Sequence, residues 1–390
     1  MNLHEHQAKA LLRNYGIPMP SGALAETGAE AAAAADKLGG RSWAVKAQIH
    51  AGLRWQAGGV RLVQSIDDVA RAAEALLGTR QVTPQTGAKG KLVKSVYVEQ
   101  AVDVGRQLYL ALLVDRATGR VAAIAASEGG DDIEARLAAD PAQMHRLAID
   151  PDAGVEAEAA LAFARDLGLA DGAVREAARI VDAAYRAFVE LDASLIEFNP
   201  LAVTGDGRLL ILDAKMVLDD NALFRHPELE SLRDEDELEA NELEARRFEL
   251  NYVQLEGDIG VMVNGAGLAL ATVDLLKEHG GEPADFMDIR PEASREQVAS
   301  GFRLLLANPG IKAILVNIYG GGILRCDTVA EGIAAACRAQ ALKVPLIVRA
   351  AGTNGELARQ VLINQGIAVR FAGTIGEAAK LAAQAARGGA

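Results

Sequence analysis

A lysine lies inside an apolar, strand-like run around residue 46, where an ordinary core strand would carry none. Lys46 stands in the segment WAVKAQ, and burying its ammonium group is costly unless an anion lies nearby. Lysine is a common partner of phosphate groups, so this position predicts a phosphate ligand. The alternative is a lysine on an edge strand whose side chain extends to water, and the sequence leaves it open.

A glycine-flanked loop, HAGLRWQAGGV at residues 50–60, follows this run. Glycine-rich hairpins can cover nucleotide phosphates with backbone N–H groups and one basic side chain, and Arg54 stands at the centre of this loop. A plain β-turn is the alternative, because the bulky Leu53 and Trp55 occupy the tip. The loop alone is therefore a weak indication of phosphate binding.

Two oxygen-bearing side chains further along the chain indicate a magnesium site. Glu197 and Asn199 alternate with apolar neighbours in IEFNP, so their side chains share one face of a strand. Asp213, in LILDAKM, is expected on the adjoining strand of a hairpin that turns at residues 205–207. Oxygen atoms of Asn199 and Asp213, completed by water and ATP phosphates, are ligands that Mg²⁺ prefers. An Asn-Pro pair that only forms a turn is the alternative.

Two glycine turns in the last third of the chain each precede a helix, at residues 264–267 and 320–322. Both follow the same order of strand, asparagine and glycines, in VMVNGAG and ILVNIYGGG. Backbone N–H groups at a helix start bind carboxylate or phosphate, although such glycines more often only make a tight turn. The presence of two similar copies in one sheet favours an anion site.

The histidines indicate neither a metal site nor a nucleophile. Their spacing fits no metal-binding motif, none of them stands in the glycine turns, and no Ser-His-Asp or Cys-His arrangement can be argued. These residues are His4, His6, His50, His145, His226 and His279.

Two patterns of secondary structure position these residues. The first half alternates β-rich runs with alanine-rich helices and contains two predicted hairpins, at 107–127 and 194–216. From about residue 256, strands and helices alternate, which predicts a parallel sheet with helices on both faces. Ligands bind such sheets at the carboxyl ends of the strands, where the two glycine turns lie. The acidic stretch 228–247 between the halves is typical of a solvated linker or exposed helix.

Length and composition limit the class of protein. The 390 residues suffice for two or three domains, and 50% hydrophobic with 24% charged residues is the balance of a folded globular chain. The formal net charge of −13 argues against a nucleic-acid binder, because such a surface repels phosphate backbones. No apolar run approaches the ~18 residues of a membrane-spanning helix. The two cysteines, Cys326 and Cys337, fit a reducing compartment, so we expect a cytoplasmic protein.

Taken together, the motifs resemble those of the β subunits of ADP-forming succinate–CoA ligases and of the related malate–CoA ligases. The similarity covers essentially the whole chain, and so many collinear segments are more specific than any single glycine motif. These segments are MNLHEHQAKALL, VKAQIHAG, YVEQA, LYLALLVDR, IEFNPL, DAKM with DDNALFR, LNYVQLEG, VNGAGLA, HGGEPADF, KAILVNIYGG and RCDTVAEGI. The resemblance implies an α/β fold with an N-terminal ATP-grasp domain, an acidic linker and a C-terminal flavodoxin-like, parallel-sheet ligase domain. The expected bounds are residues 1–227, 228–250 and 251–390.

The same resemblance implies a reaction and a partner. A CoA-binding α subunit would carry a histidine that ATP phosphorylates, and no catalytic residue would lie on this chain. The phosphoryl group would pass to the carboxylate of a four-carbon dicarboxylate, and CoA would then displace phosphate from the acyl phosphate. ATP, CoA and the acid would be substrates, Mg²⁺ a cofactor, and the assembly αβ or α₂β₂. The choice between ATP and GTP stays open.

Carried over residue by residue, the resemblance assigns roles to positions of this chain. The expected contacts of ATP phosphates are Lys46 and Arg54, with their hairpin neighbours Leu53 and Trp55. The expected contacts near the adenosine end are Glu99, the backbone near Val102, and Gln107. The expected magnesium ligands are Asn199 and Asp213. The expected contacts of the acid or of the incoming phosphohistidine are Asn264, Gly321, Gly322 and Ile323.

The chain also departs from the family pattern. Leu53-Arg54-Trp55-Gln56 replaces the usual Gly-Arg-Gly-Lys, which removes a lysine and crowds the backbone that would approach phosphate. Gln107 replaces the usual glutamate, Arg290-Pro291-Glu292 replaces a triple glycine, and the turn at 320–322 has one glycine more than usual. The stretch 351–354 is closer to the malate enzymes. Two interpretations therefore stay open: a working ligase for malate or succinate, and a regulatory or binding subunit with impaired ATP use.

Overall fold

The computed structural model of the chain describes residues 1–130, 133–235 and 240–388. These residues divide into two compact units, with the division between residues 237 and 238. The division falls inside the predicted acidic linker, of which residues 236–239 lie outside the described part. The domain bounds given above stay predictions. No described helix combines the length and the apolar character needed to cross a membrane.

The first unit contains mostly short strands and amphipathic helices. Its strands are β1 (Asn2–Leu3), β2 (Gly22–Ala25), β3 (Trp43–Ala47), β4 (Val60–Val63), β5 (Arg80–Gln81), β6 (Lys91–Leu92), β7 (Val96–Gln100), β8 (Val104–Asp115), β9 (Arg120–Ala126), β10 (His145–Ile149), β11 (Ala193–Thr204), β12 (Leu209–Ile211) and β13 (Ala214–Leu218). Its helices are α1 (Glu5–Arg13), α2 (Gly28–Leu38), α3 (Ile66–Leu76), α4 (Ile133–Ala139), α5 (Ala157–Asp166), α6 (Asp171–Glu190) and α7 (Pro227–Glu230), with 3₁₀ turns at Pro141–Gln143 and Asp220–Arg225.

Two antiparallel sheets organise the first unit, and β5 and β6 form a separate two-stranded pair. The smaller has the strand order β2-β7-β3-β4, and the larger has the order β1-β13-β11-β8-β9-β10, with β12 paired to β11. The predicted hairpin at 107–127 is confirmed, because β8 pairs with β9 antiparallel. The second predicted hairpin is confirmed with one difference: two short strands, β12 and β13, rather than one, pair with the long β11.

Helices α2 and α3 form where the sequence supplies both a cap and an apolar face. Thr27 and Ser65 precede them, and each side chain accepts the backbone N–H of the residue three positions later. Their buried faces, which include Ala31 and Leu76, pack with Val45 and Val98 of the smaller sheet. This packing fixes the sheet that carries Lys46 and Glu99.

The second unit alternates strands and helices, as the sequence predicts. Its strands are β14 (Asn251–Gln254), β15 (Ile259–Val263), β16 (Asp285–Asp288), β17 (Ala313–Gly320), β18 (Leu346–Gly352) and β19 (Val369–Phe371). Its helices are α8 (Ala240–Arg247), α9 (Ala266–Glu278), α10 (Arg295–Ala307), α11 (Cys326–Ala339), α12 (Gly355–Asn364) and α13 (Ile375–Ala386).

The sheet of the second unit has the order β14-β16-β15-β17-β18-β19. The strands β15 to β19 are parallel and follow the flavodoxin order 2-1-3-4-5, which confirms the predicted fold. Alternate residues of these strands enter two cores: Met262 and Val316 face α10, α11 and α12, whereas Val261 and Leu315 face α9 and α13. The antiparallel edge strand β14 was not predicted.

The C-terminal part of the acidic stretch belongs to the second unit. Ala245 in α8 is fully buried, and Leu250, just before β14, is 6% exposed. Both residues pack with Met287 and Phe302 in one core cluster.

Candidate functional site

A cavity of about 1030 Å³ lies in the first unit. A volume of this size is at the upper end of what small-molecule and cofactor sites require. Every residue of the first unit that was predicted to contact nucleotide or magnesium lines it, namely Lys46, Leu53, Arg54, Trp55, Glu99, Val102, Gln107, Asn199 and Asp213. The cavity therefore brings together positions that are up to 167 residues apart in the chain, from Lys46 to Asp213.

Lys46 is buried, with 6% of its surface exposed, on a strand that has neighbours on both sides. The alternative of a lysine on an edge strand is therefore wrong. Its ammonium group donates to Glu5 Oε1 at 2.8 Å, to Glu99 Oε2 at 2.7 Å and to the carbonyl of Leu212 at 2.5 Å. Burial alone would lower the pKa of Lys46, but the charges of Glu5, Glu99 and Asp213 raise it above its usual value.

Helix α1 contributes two charged residues that the sequence analysis did not assign to the site. Glu5 is 5% exposed and lines the cavity, and Lys9, one helical turn later, is fully buried. Lys9 donates to Glu99 Oε1 at 2.5 Å and to the Leu212 carbonyl at 2.6 Å, and its ammonium lies 3.0 Å from Glu5 Oε1. The spacing of Glu5 and Lys9 in the sequence did not indicate a role in the site, because Glu and Lys four residues apart are an ordinary pair on the surface of a helix.

Opposed effects determine how these α1 residues ionise. Burial would raise the pKa of Glu5, but Lys46, Lys9 and Arg54 together hold that pKa well below its ordinary value. Burial and the neighbouring Lys46 lower the pKa of Lys9, and the two carboxylates beside it partly offset them. Glu5 is therefore an anion at neutral pH.

Arg54 lies at the cavity with 6% of its surface exposed. Its Nη1 donates to the carbonyl of Ala47 at 2.8 Å, and its Nη2 donates to Glu5 Oε2 at 2.7 Å and to Asp213 Oδ2 at 2.6 Å. Burial would lower the pKa of Arg54, but Asp213 and Glu5 raise it. Arg54 thus links Asp213, the carboxylate predicted to bind magnesium, to Glu5, which in turn contacts Lys9 and Lys46.

The loop that carries Arg54 has a backbone conformation at Leu53 that glycine adopts more readily than other residues. Leu53 has a φ of 61°, in the left-handed region that costs a residue with a side chain roughly 1–2 kcal/mol. The turn is closed by backbone bonds from Ala57 to Leu53 and from Gly59 to Arg54. Trp55 is 56% exposed at the cavity wall.

Restoring the family loop is expected to tighten ATP binding. In the variant Leu53→Gly, Trp55→Gly, Gln56→Lys, a lysine returns, and one charge-assisted hydrogen bond contributes roughly 1.5–3 kcal/mol, or at least about tenfold in Kd. Calorimetric titration with Mg-ATP measures this, and Leu53→Gly alone is the control, which should raise thermal stability more than affinity. An unchanged dissociation constant for the triple variant would reject a phosphate role for the loop.

The predicted magnesium ligands are adjacent in the structure. The prediction that Asp213 lies on a strand is wrong, because the structure places it in the short interruption between β12 and β13. There its carbonyl accepts the Asn199 N–H at 3.3 Å. The side-chain oxygen of Asn199 accepts the Gly130 N–H at 2.9 Å, which leaves it a second lone pair. Glu197 lines the same cavity, in agreement with the predicted alternation. These oxygen donors fit a magnesium ion that completes its shell with water and phosphate oxygens.

A second group of predicted residues meets in the second unit. Asn264 directly follows β15, and Gly321, Gly322 and Ile323 directly follow β17, so both segments lie at the carboxyl ends of adjacent parallel strands. The side chain of Asn264 donates to the carbonyl of Tyr319 at 2.9 Å and accepts the Tyr319 N–H at 2.8 Å. Asn264 therefore fixes the start of the glycine turn.

The exposure of this second group suits a contact with another molecule. Gly321 and Gly322 are exposed, a Cβ added at either would meet no atom within 4 Å, and Ile323 is 70% exposed. The structure thus brings the predicted residues together at the carboxyl ends of β15 and β17, on either side of the topological switch point where ligands bind such sheets.

The histidines form no metal site in the described residues. No group of three or more His, Cys, Asp or Glu in that part of the chain is arranged to hold a metal ion. The rings of His4 and His50 lie 4.2 Å apart, and burial together with His4 lowers the pKa of His50 to about 4.

Comparison with known proteins shows that each unit matches the model of a known protein family. A model of the ATP-grasp domain matches residues 2–203, and a model of the CoA-ligase domain matches residues 262–387. The β subunit of succinate–CoA ligase (ADP-forming) from Ralstonia nicotianae is 49% identical over 388 residues, 100% of each chain. The corresponding proteins from Cupriavidus taiwanensis and Ralstonia pickettii are 48% and 49% identical over the same length.

A solved structure shows the same fold at much lower sequence identity. ATP citrate lyase from Methanothrix soehngenii, in complex with citrate and coenzyme A, superimposes with a TM-score of 0.72. It is 18% identical to this chain, and the similarity covers 95% of both chains.

Proposed function

The chain belongs to the family of β subunits of ADP-forming succinate–CoA ligases, and from this membership we propose how its two sites divide the work of an acid–thiol ligase. With an α subunit, the protein joins a four-carbon dicarboxylate to CoA while ATP is converted to ADP and phosphate. The observation that carries this proposal is that one cavity is lined by every residue of the first unit predicted to bind nucleotide or magnesium.

The cavity has the chemistry that a nucleoside triphosphate requires. Lys46 and Arg54 supply cations for the phosphates, and Arg54 uses only three of its five N–H donors in the contacts given above. Apolar side chains on other parts of the wall, including Val102, Leu195 and Met216, suit the base. The nucleotide thus meets charge at one end and apolar surface at the other.

Asn199 and Asp213 are the proposed holders of Mg²⁺, which in this chemistry binds phosphate oxygens and neutralises their charge. Arg54, already paired with Asp213, then lies beside the same phosphates. The residues of this chain orient the triphosphate and stabilise its charge, and none of them is a nucleophile in the proposal.

The acid is proposed to bind in the second unit, at Asn264 and the turn Gly321-Gly322-Ile323. Successive backbone N–H groups of a turn can bind a carboxylate or a phosphoryl oxygen. The phosphorylated histidine would come from the α subunit, because no histidine of this chain stands in the glycine turns. The stoichiometry, αβ or α₂β₂, stays a prediction.

The proposal favours succinate as the acid, because the curated relatives named above are succinate–CoA ligases. Malate is the other candidate. The alternative of a regulatory subunit with impaired ATP use finds little support, because Lys46, Glu99, Asn199 and Asp213 are all retained and line one cavity. The altered loop at Leu53 and Trp55 changes the wall without filling the cavity.

Co-expression with the neighbouring α-type subunit tests the proposal. Purified complex is assayed for thioester formation that depends on ATP, Mg²⁺ and CoA, with succinate, malate and related acids. We expect turnover with succinate to exceed turnover with the other acids. Malate turnover well above succinate would mean that the altered turns redirect the acid site. No turnover with any acid from a stable complex would contradict the ligase function and favour the regulatory alternative.

A further inference from the structure

The ammonium group of Lys46 has no donor left for a phosphate. A protonated lysine has three N–H donors, and those of Lys46 go to Glu5, Glu99 and the Leu212 carbonyl. A phosphate therefore reaches Lys46 only if one of these acceptors is released. Releasing a buried carboxylate or carbonyl without another partner is unfavourable, because each needs a hydrogen bond in place of the water it lacks.

Every acceptor of Lys46 is also in contact with Lys9. The ammonium of Lys9 lies 3.0 Å from the same Glu5 oxygen, bonds the other oxygen of Glu99 at 2.5 Å, and bonds the same Leu212 carbonyl at 2.6 Å. Lys9 is fully buried, so the cavity leaves it no access to a ligand of its own. It is also absent from the residues that line the cavity.

The cluster of charges around Lys46 is balanced. Its cations are Lys9, Lys46 and Arg54, and its carboxylates are Glu5, Glu99 and Asp213. Without Lys9 the cluster would carry one surplus negative charge directly behind the place where phosphates are proposed to bind. That charge would both hold Lys46 more firmly and repel the phosphates.

We propose that Lys9 is a positioning residue of the nucleotide site, which keeps Glu5, Glu99 and the Leu212 carbonyl bonded while Lys46 turns to the phosphates. This inference rests on the proposed function, since it assumes that Lys46 contacts ATP. Glu5, which binds Lys46 and Arg54 through different oxygens, sets the two cations side by side before the nucleotide arrives.

Calorimetric titration of the full chain with Mg-ATP tests the role of Lys9. Lys9→Met removes the charge at similar side-chain length and is expected to raise Kd about tenfold or more, equivalent to at least about 1.4 kcal/mol. Lys37→Met, which removes an exposed lysine from α2, is the matched control and should leave Kd unchanged. Adenosine, which has no phosphate, should lose far less affinity than Mg-ATP when Lys9 is replaced, because only Glu99 of the residues that Lys9 holds is predicted to lie near the adenosine end.

The outcomes separate the inference from the function on which it rests. No binding of Mg-ATP to the unchanged chain would overturn the proposed function and this inference with it. Equal Mg-ATP dissociation constants for Lys9→Met and the unchanged chain would overturn the inference alone. A parallel loss of ATP and adenosine binding would also overturn it, because a distorted cavity would then be the cause.

A second pair of variants keeps the test decisive if Lys9→Met does not fold. Glu5→Gln removes a carboxylate from the cluster, and the double variant Glu5→Gln, Lys9→Met restores charge balance. Glu99 and the Leu212 carbonyl still need Lys9 in this background, so the double variant should bind Mg-ATP several-fold more weakly than Glu5→Gln. Equal Kd values for these two variants would overturn the inference.

Discussion

Replacing Asp213 by alanine is expected to abolish ATP-dependent thioester formation, with a loss of more than about a hundredfold. The change removes one of the two proposed magnesium ligands, and loss of groups that merely support a ligand already costs 10–100-fold. It also removes one partner of Arg54, whose Nη2 donates to Asp213 at 2.6 Å. The complex with the α subunit should form as before, because the Asp213 side chain is 36% exposed and not part of a core.

Two measurements separate the magnesium role of Asp213 from its pairing with Arg54. Binding of ATP in the presence of EDTA should be no weaker in Asp213→Ala than in the unchanged chain, because a negative charge near the phosphates has gone. Binding in the presence of Mg²⁺ should be much weaker. Asp206→Ala serves as the control, because Asp206 lies in the exposed turn after β11 and bonds Thr204 and Arg208 of that same turn. Full activity of Asp213→Ala would refute the metal assignment.

The sequence predicts the parallel half of the fold well because its signals are local. Strand, glycine turn and helix follow one another from residue 256 onward, and right-handed parallel connections leave few possible arrangements. The edge strand β14 was missed because only one of its four residues, Tyr252, is buried and because the strand precedes the regular pattern. Its antiparallel pairing with β16 is a long-range contact that no local pattern encodes.

The site was only partly predictable, for a similar reason. Lys46, Asn199 and Asp213 stand out because polar side chains interrupt apolar runs, and Arg54 stands out at the centre of a glycine-flanked loop. The family resemblance added Glu99, Val102 and Gln107. Glu5 and Lys9 were missed because the burial of α1 depends on where the sheets close around it. A buried ion pair and a surface pair have the same spacing in sequence. The left-handed backbone at Leu53 was likewise not apparent, since the residue type does not suggest it.

A buried carboxyl group in the second unit is expected to make the stability of that unit fall as pH rises. Asp285, at the start of β16, has no exposed surface, and burial raises its pKa to about 7. The Val261 N–H, which donates to Asp285 Oδ1 at 3.0 Å, and the hydroxyl of Tyr252, 3.5 Å from Oδ2, oppose this shift but do not cancel it. The folded state therefore keeps a proton that the unfolded chain has already released.

The sign and range of the effect follow from the two pKa values. Between pH 4 and 7 the unfolded chain loses the proton of Asp285 and the folded chain retains it, so the free energy of unfolding falls by about 1.36 kcal/mol per pH unit. From the ordinary value of 3.8 to about 7, the total loss is on the order of 4 kcal/mol. Above pH 7 both states are ionised and no further loss occurs.

Asp285→Asn is therefore expected to stabilise the second unit by several kcal/mol at pH 8 and by little near pH 4.5. The asparagine carbonyl still accepts the Val261 N–H, and the amide carries no charge to bury. Hydrogen exchange of the β15 amides reports the free energy of unfolding of the second unit specifically. It is measured in the full chain at both pH values, with a titration of urea. Asp274→Asn, at an exposed position of α9, is the matched control. If Asp285→Asn and the unchanged chain show parallel pH profiles, the carboxyl group is not held neutral, and the burial of its charge must be compensated by groups other than Val261 and Tyr252.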